Sequence, residues 1–160
     1  MLSVKLICVG RMKEKFYAEA FGEYMKRLQP YCKLQLTEAP EQRLSESPSP
    51  KELEKALDRE AEDILAAIPG DSYVAALCIE GRELSSEALA ELVFKVEGSG
   101  RPRMCFIIGG SYGLSPRVKA RADLKLSMSP MTFPHHLARV MLAEQLYRSF
   151  KIIEGSRYHK

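Results

Sequence analysis

Tyr73 to Ile79 reads YVAALCI, a run with no charged residue. A strand with one face in water alternates apolar and polar side chains, whereas a strand buried on both faces has no such alternation. This stretch therefore needs cover above and below. Met104 to Ile108 (MCFII) is a second strand of the same kind, Leu124 to Met128 (LKLSM) a shorter third, and Ser3 to Val9 (SVKLICV) a β-branched opening strand that closes at Gly10. Lys33 to Glu38 (KLQLTE) alternates as a half-exposed strand does.

The stretches between these runs supply helices. Phe16, Ala20, Tyr24 and Leu28 recur at i+4 and predict an amphipathic helix over 14–28, stopped by Pro30, with those four residues inward. Residues 39–50, rich in Pro, Ser and Glu, predict a surface loop. Ser49-Pro50-Lys51-Glu52 forms a capping box with Pro at the first helical position, so an acidic helix runs from there to Ile68. A further helix spans Ser86 to about Glu97 with Leu89, Leu92, Val93 and Val96 inward. The last is expected to be capped by Thr132, with Pro134 in its first turn, and to end at Gly155. It carries a broad apolar stripe (Leu137, Val140, Met141, Leu142, Leu146, Phe150, Ile153) together with Arg139, Arg148 and Lys151, which predicts one face on protein and another on something anionic. Alternating strands and helices give an α/β class: one domain over 1–160, with a mostly parallel sheet and helices on both faces.

Charge is unevenly distributed. Residues 1–40 hold 7 Lys/Arg against 4 acids, residues 41–100 hold 6 against 14, and residues 101–160 hold 11 against 3. A basic final third points to a polyanionic partner such as nucleic acid. The acidic helix reads first as a solvated helix, and more weakly as a surface turned away from that partner. No apolar run approaches the roughly 20 residues of a membrane span, and the N-terminus lacks a signal-peptide pattern, so a cytoplasmic protein is expected. Cys8, Cys32, Cys78 and Cys105 form no C-x-x-C pair and read as inert core thiols. Adjacent His135 and His136 should point to different sides of a helix, so no metal site is expected.

In an open parallel sheet, ligands bind beyond the carboxyl ends of the strands. The candidate ends are Leu77 to Gly81, Ile108 to Gly113 and Leu126 to Phe133. Gly109-Gly110-Ser111 is not a G-x-G-x-x-G loop, arrives after two-thirds of the chain and has no acid about 20 residues beyond, which excludes a dinucleotide-binding dehydrogenase. In SMSPMTFPHH, Met128, Met131 and Phe133 offer an apolar wall while Ser129 and Thr132 offer hydroxyls, a combination suited to an adenosine-bearing ligand. The C-terminal Arg157, Tyr158, His159 and Lys160 suit base stacking and phosphate pairing, and Tyr158 and His159 are acid–base candidates.

KLICVGRMKEKFYAEAFGEYMKRL, FIIGGSYGL, MSPMTFPHHLARVMLAEQLYRSFKI and the terminal YHK together make the chain resemble, over its whole length, the RlmH-type (YbeA-like) methyltransferases of the SPOUT superfamily. The resemblance implies a trefoil knot within about 104–153, a homodimer packed through knot helices, and methylation of N3 of a pseudouridine in 23S rRNA with S-adenosylmethionine. Large-subunit rRNA or the whole ribosome is the implied partner, with no metal and no membrane. The implied cofactor site is Leu77, Gly109, Met128, Ser129, Pro130, Met131, Thr132 and Phe133. The implied RNA and catalytic end is Arg148, Tyr158, His159 and Lys160. Lys160 replaces an Arg of family members, keeping the charge but losing the bidentate fork. Two alternatives stand beside this one: a ribosome-associated RNA-binding factor without catalysis, and a regulatory nucleotide-binding protein. The resemblance leaves open which group takes the N3 proton and whether one active site draws on both subunits.

Overall fold

The computed structural model describes all 160 residues. In chain order its elements are β1 (Leu2–Val9), α1 (Lys15–Leu28), β2 (Cys32–Ala39), α2 (Pro50–Ala67), β3 (Tyr73–Glu83), α3 (Ser86–Glu97), β4 (Arg103–Ile108), α4 (Pro116–Arg121), β5 (Leu124–Ser127) and α5 (His135–Ile153). One sheet takes the order β2-β1-β4-β3-β5 with every neighbouring pair parallel, as the unalternating apolar runs require.

The strand pleat sends successive side chains to two cores. Leu2, Val4, Leu6 and Cys8 of β1 and Met104, Phe106 and Ile108 of β4 meet α1, α3 and α5 on one face. Ile7 and Val9, with Cys105 and Ile107, meet α2 and α4 on the other. Because β1 leads into α1 on the first face and its neighbour β4 leads into α4 on the second, the crevice between their carboxyl ends is the topological switch point of the sheet.

Several local expectations change. Phe16 is 64% exposed and Phe21 is buried in its place. A strict i+4 series advances about 40° per step around a helix, so Phe16 lies about 120° from the face that buries Leu28. α4 has no counterpart in the sequence reading: it is one and a half turns long with only Val118 buried, too short for a periodicity. Its local signal was Ser115-Pro116, and Ser115 does cap it by accepting from the Arg117 N–H at 3.2 Å. β3 does not stop at Ile79. Leu77 and Arg82 both register with Leu126, so Cys78–Gly81 bulge out before the strand pairs again with β5. Gly81 permits this, because a Cβ there would lie 2.6 Å from the Lys125 carbonyl oxygen.

The cap of α2 is as expected, Ser49 Oγ accepting from the Glu52 N–H at 3.2 Å. The cap of α5 is not. Pro134 is its N-cap residue with no side-chain bond, and Thr132 is an exposed loop residue.

Candidate active site

The loop after β4 turns back on itself at once. Gly110 and Gly113 form an antiparallel bridge, the Gly113 N–H donates to the Gly110 carbonyl at 3.0 Å, and Gly113 has φ 80°. Gly109 is the residue this turn cannot change, since a Cβ would lie 2.5 Å from the Gly113 oxygen. Tyr112, at the tip, is 50% exposed.

The loop after β5 is built differently. No backbone–backbone hydrogen bond outside the helices and strands involves residues 128–133. Ser127 Oγ donates to the Ser129 carbonyl at 3.1 Å and the Met131 N–H donates to Ser129 Oγ at 3.0 Å. The rest of the loop presents main-chain donors and acceptors with no chain partner, and Met131 is 72% exposed. Such a segment needs a ligand, a second chain or water to satisfy it. Leu77 stands behind the loop, half-buried against the core and paired with Leu126.

Two cavities open at this end of the sheet. One of about 400 Å³ is lined by Ser127 and Met128, by Leu84, Ser86 and Leu89 at the start of α3, and by Val140, Met141, Glu144 and Gln145 of α5. Its size falls in the usual range for small-molecule sites, and its apolar walls with a few polar groups match their usual chemistry. The other, about 900 Å³, lies at the switch point between Gly10 and Gly110–Tyr112, under Glu38 and Glu41. Glu41 packs so closely over Gly10 and Gly110 that a Cβ on either would lie 3.2–3.3 Å from its carboxylate. Gly10 as a strand stop is the one local sequence signal of this crevice, because nothing local links Gly10 to Glu41. The implied cofactor residues are thus divided, Met128 lining the smaller cavity and the neighbour of Gly109 lining the larger.

The implied catalytic residues come together. After Gly155 (φ 75°) the tail folds back along α5. Glu144 Oε1 accepts from Arg148 Nε at 3.0 Å, from Arg148 Nη2 at 2.5 Å and from the Tyr158 hydroxyl at 3.2 Å. The Arg148 guanidinium lies 4.9 Å from the centre of the Tyr158 ring. Arg148 Nη1 is 3.1 Å from His159 Nδ1, and His159 Nε2 is 2.7 Å from Glu87 Oε1 at the start of α3. The bond to Glu144 raises the Arg148 pKa further, burial followed by the Glu144 charge raises the Tyr158 hydroxyl, and the bond from His159 lowers the Glu87 carboxyl. Lys160 is exposed at the end. Glu144 and Glu87 were not among the residues singled out from sequence. The only local signal was the i, i+4 spacing of Glu144 and Arg148.

The charge asymmetry proves largely internal. Arg101 pairs with Asp71, Arg117 with Asp58 and Glu62, Lys119 with Glu80, Arg139 with Glu38, Arg148 with Glu144 and Lys151 with Glu154, all within 3.0 Å. Six of the eleven basic residues of the last third therefore answer carboxylates of this chain, and α4 docks Arg117 on the acidic helix that was expected to face away from a polyanion. Arg139, expected on an anion-facing surface, is 1% exposed. His135 and His136 do not diverge either. Their rings lie 4.1 Å apart, and His136 Nδ1 is 2.9 Å from Glu14. Burial pushes the thiols of Cys8 and Cys32 up to about 12 and that of Cys105 to about 11, which makes them unreactive at neutral pH, as expected for core thiols.

Comparison with known proteins agrees with this architecture. A family model described as a predicted SPOUT methyltransferase matches residues 2–159. Proteins named ribosomal RNA large subunit methyltransferase H are 45% identical in Carboxydothermus hydrogenoformans and 44% identical in Bacillus pumilus, each over 99% of this chain and 100% of the relative. Among solved structures, a probable methylase family protein from Haemophilus influenzae superposes with a TM-score of 0.56 at 17% identity, covering 100% of this chain and 72% of that one. TrmJ from Z. mobilis gives 0.53 at 17% identity, covering 93% and 70%. At such identity the two structures attest the fold alone.

Proposed function

The chain belongs to the SPOUT methyltransferase family, and on that premise we propose that it methylates N3 of a pseudouridine in 23S rRNA, acting on the large subunit of the assembled ribosome. S-adenosylmethionine is the methyl donor. The observation that carries the substrate is agreement along 99% of the chain with proteins named as large-subunit rRNA methyltransferases. Cytoplasmic location, a homodimer and a trefoil knot within about 104–153 belong to the same proposal.

Leu77, Gly109 and Met128–Phe133 would hold the cofactor. The unpaired main chain of the last segment fits an adenine edge, and Met128 and Met131 fit its faces. When bound, S-adenosylmethionine supplies a methyl group already activated by the positive sulfur. What remains for the protein is to place N3 in line with that group and to accept or disperse the charge left when N3 loses its proton. Arg148 is suited to the charge, because only three of its five N–H donors are committed to Glu144 and His159. The two that remain face the substrate's carbonyl oxygens or a phosphate. Tyr158, kept protonated by its raised pKa, positions the base, and Lys160 meets the backbone as a point charge.

Transfer of labelled methyl from S-adenosylmethionine to assembled ribosomes, with and without the target pseudouridine, tests the proposal. Label at a single large-subunit position that depends on the pseudouridine is expected. Label that ignores the pseudouridine overturns the base assignment, and cofactor binding without label overturns the substrate.

A further inference from the structure

The tail residues are held by two carboxylates whose part in the reaction is open. Glu144 is 17% exposed at its side chain, and both its oxygens are engaged, Oε1 by Arg148 and Tyr158 and Oε2 by the Gln145 amide at 2.9 Å. Gln145 is fixed in turn, its Oε1 accepting from Ser86 Oγ at 2.7 Å. Tyr158 therefore spends its hydroxyl proton on Glu144, which leaves only the oxygen lone pairs to face outward. A phenol turned this way accepts hydrogen bonds from a partner and does not donate.

His159 is fixed in a similar way. A guanidinium has donors only, so the 3.1 Å contact with Arg148 Nη1 makes His159 Nδ1 an acceptor and puts the ring proton on Nε2, which donates to Glu87. The charged and titratable groups around the ring are Arg148 and Glu144 on α5, Glu87 on α3, and Tyr158 and Lys160 on the tail.

We propose that Glu144 and Glu87 are positioning residues: Glu144 turns the Tyr158 oxygen outward as the hydrogen-bond acceptor that orients the target base through its N3–H and aims Arg148 beside it, while Glu87 fixes His159 with its proton on Nε2 so that Nδ1 anchors Arg148. The proposal rests on the rRNA-methylating role given above for Arg148, Tyr158 and His159, but its geometric half does not. Each carboxylate acts on the target base through a neighbour.

Two measurements on the full-length protein separate the halves. Nitrogen-15 NMR of the His159 ring reads the tautomer without any substrate. The Nε2–H form is expected in the wild-type protein and in Glu87→Gln, which keeps an acceptor, while Glu87→Ala, which frees the ring to turn away from Arg148, is expected to give exchange-averaged ring-nitrogen shifts. An Nδ1–H form in the wild-type protein overturns the arrangement whatever the enzyme methylates. The second measurement is steady-state methyl transfer to ribosomes by Glu144→Ala and Glu144→Gln, read beside the thermal unfolding midpoint. Misplacing a reacting group by an ångström costs on the order of 100-fold. Glu144→Ala should lower kcat by about that factor with little change in KM, and Glu144→Gln, which keeps one acceptor oxygen, should recover part of the loss. A kcat within about twofold of wild type for both variants, or a loss that follows the unfolding midpoint, overturns the positioning role. If the wild-type protein transfers no methyl to ribosomes, the substrate proposal has failed, and the NMR result alone decides the positioning geometry.

Discussion

Arg139 shows how far a residue's environment can depart from its appearance in the sequence. On an amphipathic helix in a basic segment it looks like a nucleic-acid contact. In the fold it is buried against Phe21, with Nη1 2.8 Å from Glu38, Nη2 donating to the Gly10 carbonyl at 3.1 Å, and Nε without a partner. It ties α5 to the carboxyl ends of β1 and β2, which are remote in sequence. Breaking a buried ion pair by deleting one member costs about 3–5 kcal/mol, because the other is left desolvated. Glu38 keeps a third of its side chain in contact with solvent, so Arg139→Ala should fall at the low end of that range. Urea unfolding monitored by circular dichroism measures it. A loss below about 1 kcal/mol would mean that water replaces the guanidinium without cost and that Arg139 does not anchor the helix.

Elements were legible where one physical signal dominated them. The two-sided apolar runs placed the central strands, and Ser49-Pro50 and Gly155 placed helix ends, because caps and turns are decided by residues within a few positions of each other. Phe16 and the short α4 were misread or missed, since a window of a few turns cannot say which side of a helix meets the sheet. The extension of β3 is a tertiary event of the same kind. Its bulge at Cys78–Gly81 exists because β5 lies alongside, and Gly81 has to be bare for the two backbones to approach. A Cβ at Gly81 forces the strands apart, at the roughly 1–3 kcal/mol of overpacking. Gly81→Ala should therefore lower stability by about that amount and speed amide exchange in β5 more than in β1, as hydrogen-exchange mass spectrometry can resolve. Equal acceleration in both strands would show that the close approach is not localised at this edge.

At the scale of the whole molecule, the charge pattern holds as a polarity but overstates the positive charge that is free to meet nucleic acid. Six of the eleven basic residues of the last third pair with carboxylates of this chain, three of them in the acidic middle third, so less positive charge is left for RNA than composition suggests. What the fold leaves only partly covered is of another kind. Val140 and Met141 of α5 stay half-buried beside the cavity at Met128, and Met131 stands out from the loop next to it. A second copy of the chain packed on this face would cover them, in keeping with the proposed homodimer. Met141→Glu then places a charge in the contact and should give a monomer by sedimentation equilibrium, with its circular dichroism spectrum unchanged. A variant that remains a dimer would locate the contact on another face.

Burial pattern, capping and turn chemistry act over a few residues, and they were enough to place the α/β class, the parallel strands, most helix boundaries and the two loops at the carboxyl ends of β4 and β5. It took folding in three dimensions for Glu38 to neutralise Arg139, for Glu41 to close over Gly10 and Gly110, and for Glu87 and Glu144 to gather the tail onto Arg148. Those contacts span from 4 to 101 positions along the chain, and even the shortest acquires its role only when the tail returns to it. An electrostatic partner is chosen by distance in space and by shared burial, neither of which a linear pattern encodes.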